Sequence, residues 1–222
     1  MRTPAVVVNF KAYSEVDGPR SLDLALTCQK VAEESGVSIA VCPPMVELSH
    51  VARNVQIPVL SQHCDPRRPG SATGWVTPSM IAASSAKGTL LNHSEHRLML
   101  TDIQDTVAMC RSQGLWSIVC TDSVASSGAA AFYSPDFVAV EPPELIGGDI
   151  SVTDANPDVV RDAVDAVKKA DPSVRLLCGA GVKTGKDVKA ALELGAEGVL
   201  LASGVVKSKD PYQSLLDLVK LI

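Results

Sequence analysis

The sequence predicts an α/β protein built as a single-domain (βα)8 barrel over residues 1–222. Three observations carry that expectation. Eight short aliphatic runs recur along the chain. They are continuous rather than alternating, which marks strands buried on both faces, as in a parallel sheet. Helical patterns lie between them, and no linker, charge block or low-complexity stretch breaks the order. An open doubly wound sheet accepts the same order, but a count of eight in so short a chain favours closure.

The strand runs are AVVVN (5–9), VSIAVC (37–42), IPVLSQ (57–62), GTLLN (88–92), WSIVC (116–120), DFVAV (136–140), VRLLC (174–178) and EGVLLA (197–202). The first clear helix covers 21–35, with apolar residues at three- and four-residue spacing. The next covers 101–114, where Thr101 and Gln104 form a capping-box pattern and a glycine ends the run. A third, 156–171, opens with Asn, Pro and an acid and closes with two lysines, matching the helix dipole. Segments 186–195 and 210–222 complete the set.

Composition excludes several classes. The net charge of −5 argues against nucleic acid, which recruits a basic excess. No apolar run approaches the roughly 20 residues of a membrane helix, and the N-terminal apolar stretch is too short for a signal sequence. The six cysteines, Cys28, Cys42, Cys64, Cys110, Cys120 and Cys178, are scattered singly, which predicts reduced, buried thiols in a cytoplasmic protein.

In a barrel of this kind, chemistry sits on the loops after each strand. Strand 1 ends NFK, sending Asn9 and Lys11 along an extended segment toward the mouth. Strand 4 ends NHSEHR, with His93 directly after the buried run. His96 is its only nearby companion and no Cys pair or HExxH pattern joins them, so no metal is expected. Glu95 and Arg97 are expected to tie neighbouring loops together. Strand 6 ends at Glu141, followed by two prolines, three residues and a glycine pair. That pattern reads as a stiff hinge, a short flap and a loose hinge. Strands 7 and 8 end in CGAGVKTGKD (178–187) and LLASGVVKS (200–208), small turns whose N–H groups could approach an anion. Neither is a nucleotide loop. Ala180 and Asp187 stand where a P-loop needs Gly and Ser or Thr, and Thr184 breaks a GxGxxG match. Singly, each feature has an ordinary explanation: a solvated lysine, a satisfied core histidine, a turn that needs glycine for steric reasons. Together they form one constellation.

At these residues the sequence resembles the triosephosphate isomerase family, in its shorter archaeal type. The resemblance rests on NFKAY, NHSEHR, EPPELIGG and ASGVVK, with support from HCDPRRPGSATG (63–74), and covers the whole chain in order. It implies a TIM barrel that interconverts dihydroxyacetone phosphate and D-glyceraldehyde 3-phosphate through an enediolate, in glycolysis and gluconeogenesis. It implies Glu141 as the proton-abstracting base, His93 as the group polarising the carbonyl, and Asn9 and Lys11 as substrate contacts, Lys11 also aiding catalysis. It places the phosphate against Ile146 and Gly147 of the lid, Gly181 with Gly179 nearby, and Ala202, Ser203 and Gly204. No cofactor or metal is implied. The ligands are small triose phosphates, with no nucleic acid and no membrane, and the assembly is a homo-oligomer. The long connection 63–75, read as a protruding arm with Trp75 near its tip, suggests a dimer. The segment 123–134 is small and apolar, and the resemblance to the archaeal type implies a second interface there and a possible tetramer.

Four positions depart from the family pattern. Gly148 stands where a threonine is usual, Asp149 where glycine is commoner, GAG replaces GGS after strand 7, and Trp75 follows Thr73-Gly74 where many members carry an acid. The competing readings are another phosphate-binding barrel enzyme, which would not need NFK, NHSEHR and EPPELIGG together, and a barrel without activity.

Overall fold

The computed structural model describes residues 1–142, 157–179 and 181–222. Eight strands form one sheet: β1 (Ala5–Asn9), β2 (Ser38–Cys42), β3 (Leu60–Ser61), β4 (Gly88–Leu91), β5 (Trp116–Thr121), β6 (Phe137–Val140), β7 (Arg175–Cys178) and β8 (Gly198–Leu201). All pair in parallel, in the order β2-β1-β8-β7-β6-β5-β4-β3. The two edges of that order meet where Val41 bridges Val59 and donates its N–H to the Pro58 carbonyl at 3.1 Å. The sheet is thereby a nearly closed barrel. β3 is the weak stave: the run 57–62 predicts six strand residues and two take the form. Pro58 has no N–H to give, so the ladder cannot extend through it.

The continuous apolar runs are explained by two cores. Within one strand, Val7 points into the barrel, where it joins Ala40, Leu60, Leu90, Ile118 and Phe137. Its neighbours Val6 and Val8 point outward and pack under the helices. Both faces are buried, so alternation never shows in the sequence. Close approach is tightest at Gly198, where an added Cβ would meet the Ala5 carbonyl oxygen at 2.1 Å, at φ +151°.

The outer layer comprises α1 (Arg20–Ser35), α2 (Leu48–Asn54), α3 (Pro78–Ala83), α4 (Leu100–Ser112), α5 (Val124–Ala131), α6 (Pro157–Ala170), α7 (Gly185–Glu193), the one-turn α8 (Ser203–Val206) and α9 (Pro211–Val219). Several boundaries differ from the sequence reading, and α9, read as 210–222, ends at Val219. α4 starts one residue early, after Met99, so Thr101 lies inside the helix and no side chain caps it. α7 starts at Gly185 behind a capping box formed by Thr184 and Asp187. The segment 123–134 holds α5, capped by Ser123 and Ser126.

The connection after β3 also differs from expectation. Asp65 and Val76 pair across its base, the Asp65 N–H reaching the Val76 carbonyl at 2.8 Å and the Val76 N–H reaching Asp65 Oδ2 at 2.7 Å. Trp75 therefore sits at the loop's base, with the Arg67 guanidinium 4.3 Å from its ring centre, and not at the tip.

Candidate active site

Three strand ends deliver buried polar side chains to one mouth of the barrel: Asn9 from β1, His93 after β4 and Glu141 after β6. Lys11 joins them with its side chain only 12% exposed. Its backbone corrects the expectation of an extended segment. Lys11 has φ +52°, a left-handed conformation that costs a non-glycine residue about 1–2 kcal/mol. The Asn9 Oδ1 accepts the Lys11 N–H at 3.0 Å and helps to hold the bend. From there the ammonium meets Glu95 Oε1 at 2.8 Å.

His93 is placed by its neighbours. Asn92 turns left-handed at φ +58°. Its amide donates to the Cys120 carbonyl at 2.9 Å, and its oxygen accepts the Leu98 N–H at 2.9 Å. The His93 Nδ1 accepts the Glu95 N–H at 3.2 Å. A backbone N–H can only donate, so Nδ1 is unprotonated and the neutral ring carries its proton on Nε2. Burial first, and then the positive charges of Lys11 and Arg97, push the His93 pKa down to about 4, with Glu95 opposing. The imidazole is therefore neutral at pH 7. Its Nε2 lies 3.6 Å from Glu141 Oε1, beyond hydrogen-bonding distance. The donor is aimed and, among the described residues, unspent.

Glu141 extends β6 by one hydrogen bond, from its N–H to the Thr121 carbonyl at 2.7 Å. Its Oε2 is fully buried with no partner among the described residues. Burial raises its pKa to about 7, against the opposing pull of the Cys120 thiol, Lys11 and Arg97. The side chain lies over Gly179, where an added Cβ would meet Glu141 Cγ at 2.5 Å. The Gly179 N–H is spent on the Val140 carbonyl at 2.9 Å. What Gly179 gives the site in this structure is space for the carboxylate, and not an anion-binding donor.

The turns after β7 and β8 close the other side. Gly181, at φ +69°, lines the same pocket as Asn9, Lys11, His93 and Glu141. Asp187 moulds the first turn, its Oδ2 accepting the N–H groups of Lys183 at 3.0 Å and Thr184 at 2.8 Å. Ala202, Ser203 and Gly204 also line the pocket. Ser203 and Gly204 open α8, and the first N–H groups of a helix lack intrahelical partners. Ile146 and Gly147 lie outside the described residues, as do Gly148, Asp149 and Ala180.

Two residues of the loop after β4 make contacts within the protein. Arg97 reaches Asp122 at 3.2 Å and the Asn92 carbonyl at 3.3 Å, tying the loops after β4 and β5 as the sequence suggests. His96 stacks on His63 with ring centres 3.9 Å apart. Sequence reasoning missed the Glu95 N–H as the group that sets the histidine tautomer, the steric demand at Gly179, and the cap at Asp187. Of these, only the cap carried a local signal, the Thr-x-x-Asp spacing at 184–187.

Chemically, the mouth holds a carboxyl group that titrates near neutrality, an uncharged N–H donor facing it, a fixed cation and turns suited to an anion. Such a set can remove a proton from carbon beside a carbonyl while hydrogen-bonding the oxygen on which charge develops.

A family model described as triosephosphate isomerase matches residues 4–222. The chain is 51% identical to the triosephosphate isomerase of Methanocaldococcus jannaschii, over 98% of this chain and 99% of that protein. It is also 51% identical to the enzyme of that name from Methanothermus fervidus, over 99% of each, and 48% identical to that of Methanosarcina barkeri over the full length of both.

Proposed function

Because this chain belongs to the triosephosphate isomerase family, we propose that it interconverts dihydroxyacetone phosphate and D-glyceraldehyde 3-phosphate with Glu141 as base and His93 as electrophile. The observation that carries the residue roles is the facing pair: a protonated Nε2 on a neutral His93, 3.6 Å from a carboxylate of raised pKa. Glu141 takes a proton from the carbon beside the carbonyl. The desolvation that raises its pKa is what makes it a stronger base than an exposed carboxylate. His93 donates its Nε2 proton as a hydrogen bond to the oxygen that becomes negative, and does so as a neutral donor. Lys11 holds a positive charge nearby in a site largely shielded from water, where electrostatic stabilisation is strong. Glu141 then returns the proton to the adjacent carbon, while a proton passes from the substrate's hydroxyl oxygen to its former carbonyl oxygen at His93 Nε2, which converts ketose to aldose.

The phosphate is seated against Gly181, Ala202, Ser203 and Gly204, with Asn9 and Lys11 bordering the reacting end. The contribution of Ile146 and Gly147 rests on the sequence alone. So does the reading of 142–148 as a flap that shields the enediolate from water and from loss of phosphate. The test is exchange of the substrate's carbon-bound proton with D2O alongside a coupled isomerase assay. Wild type should exchange and isomerise, and Glu141→Gln should do neither at a comparable rate. Exchange that survives in that variant would reject Glu141 as the base.

A homo-oligomer is part of the same proposal. Val46, Met80, Met99 and Leu100 are large and exposed, in the stretches of chain that follow β2, β3 and β4. A second apolar face, with Phe132 at its edge and Ala125, Gly128 and Ala129 within it, lies between α5 and α6. These suit a dimer and, with the second face, a tetramer. A fully active monomer in sedimentation equilibrium at micromolar concentration would reject it. Cytoplasmic location is supported by six free, buried cysteines. No helix among the described residues is long and apolar enough to cross a membrane.

A further inference from the structure

The left-handed bend at Lys11 is braced from a second direction. Gln62 follows β3, 51 residues further along the chain. Its Nε2 donates to the Lys11 carbonyl at 2.9 Å and to the Cys42 carbonyl, at the end of β2, also at 2.9 Å. Both partners are carbonyl oxygens, so the amide nitrogen must be the atom that faces them, and both of its protons are used. With the Asn9 Oδ1 holding the Lys11 N–H, the peptide groups on both sides of the Lys11 Cα are fixed. A non-glycine residue keeps φ +52° only where its surroundings over-determine it. Gln62 supplies a large part of that determination, and ties it to the ends of β2 and β3.

We propose that Gln62 is a positioning residue for the reaction. Its carboxamide locks the Lys11 backbone so that the ammonium is held at the pocket and not released to solvent. Gln62 acts only through Lys11; it does not line the pocket itself. The proposal rests on the reading of Lys11 as part of the catalytic machinery, and the test separates the two.

The variants are Gln62→Glu, Gln62→Met, Lys11→Met and the double variant Gln62→Met/Lys11→Met, assayed for kcat and KM with glyceraldehyde 3-phosphate and for melting temperature. Glu keeps the shape but presents oxygens to two carbonyls; Met keeps the length but has no donor. Each Gln62 variant should lose about 10²-fold in kcat/KM, the scale of a small misplacement of a catalytic group. In the Lys11→Met background, adding Gln62→Met should change kcat/KM less than twofold, because the group it positions is gone. Gln62 variants within twofold of wild type, while Lys11→Met is strongly impaired, would overturn the Gln62 proposal alone. The same Gln62 loss in both backgrounds would also overturn it, since a general structural defect ignores Lys11. A Lys11→Met variant with wild-type kinetics would overturn the catalytic reading of Lys11 beneath it.

Discussion

The two ends of the barrel bury charge in opposite ways. At the N-terminal end, the Arg175 guanidinium lies 4.0 Å from the Phe137 ring centre and donates to the Met1 carbonyl at 2.8 Å. Its charge meets a ring face and an acceptor, an arrangement that stabilises. At the C-terminal end, Glu141 is more deeply enclosed and has an oxygen with no partner among the described residues. Beside it, His93 keeps a donor proton unspent among the described residues, and Lys11 and Asn92 are both left-handed. One end satisfies its polar groups and the other withholds satisfaction from them. The same parallel strands make both, because every strand carries its C-terminal end to the same mouth. The difference teaches where the fold's surplus stability goes: into holding a carboxylate and an imidazole where water would otherwise solvate them.

Breaking each end should give opposite phenotypes. The largest effect is expected from Glu141→Gln, which removes the proposed base and should lower kcat by about 10³-fold or more. Arg175→Met should leave kcat within twofold and lower the melting temperature instead. If Arg175→Met damaged turnover per folded molecule as severely, the division between ends would fail. His93→Gln should fall next, by about 10²- to 10³-fold in kcat, the scale of losing one aimed donor. Its fold should stay intact, as read by near-ultraviolet circular dichroism. Near-normal kcat with a lower melting temperature would make His93 a structural residue.

A smaller effect sharpens the contrast by its sign. The Glu141 pKa is raised from 4.5 to about 7, so the folded protein binds a proton that the unfolded chain has already lost over that window. Stability from this group is therefore lost as pH rises from about 4.5 to 7. Glu141→Gln should thus be more stable than wild type at pH 8, by on the order of 3 kcal/mol at 1.36 kcal/mol per unit. The gain should shrink toward zero near pH 4.5. His93 works in the reverse sense: its pKa is lowered from 6.5 to about 4, so its contribution is lost as pH falls through that range. Thermal melts at several pH values check this. A Glu141→Gln protein less stable than wild type at pH 8 would mean that the carboxylate is well solvated.

Much of this was legible in the sequence, for a physical reason. Asn9 ends a strand run and His93 and Glu141 each follow one at once, and a parallel barrel converts that local position into a shared mouth. The eight runs were readable because both faces of each strand are buried. What was not legible depends on partners distant in the chain. Lys11 was visible as a cation, but its bend and its pairing with Glu95, 84 residues away, were not. Gly179 read as an anion turn; only the folded chain puts the Glu141 side chain over its Cα. The length of β3 was misread because an apolar run signals burial, whereas pairing needs N–H donors that Pro58 lacks. Trp75 was placed at a loop tip because linear distance from the strand hides the Asp65–Val76 closure.

The central claim is that the barrel mouth desolvates Glu141 until its carboxyl group titrates near neutrality. Infrared difference spectra with isotope-labelled glutamate, taken across pH 4 to 9 on wild type and Glu141→Gln without substrate, read that group directly. The account predicts one protonated-carboxyl band that disappears with a midpoint near pH 7 and is missing from the variant. A Glu141 band with its midpoint near 4.5, the value of an ordinary glutamate, would contradict it.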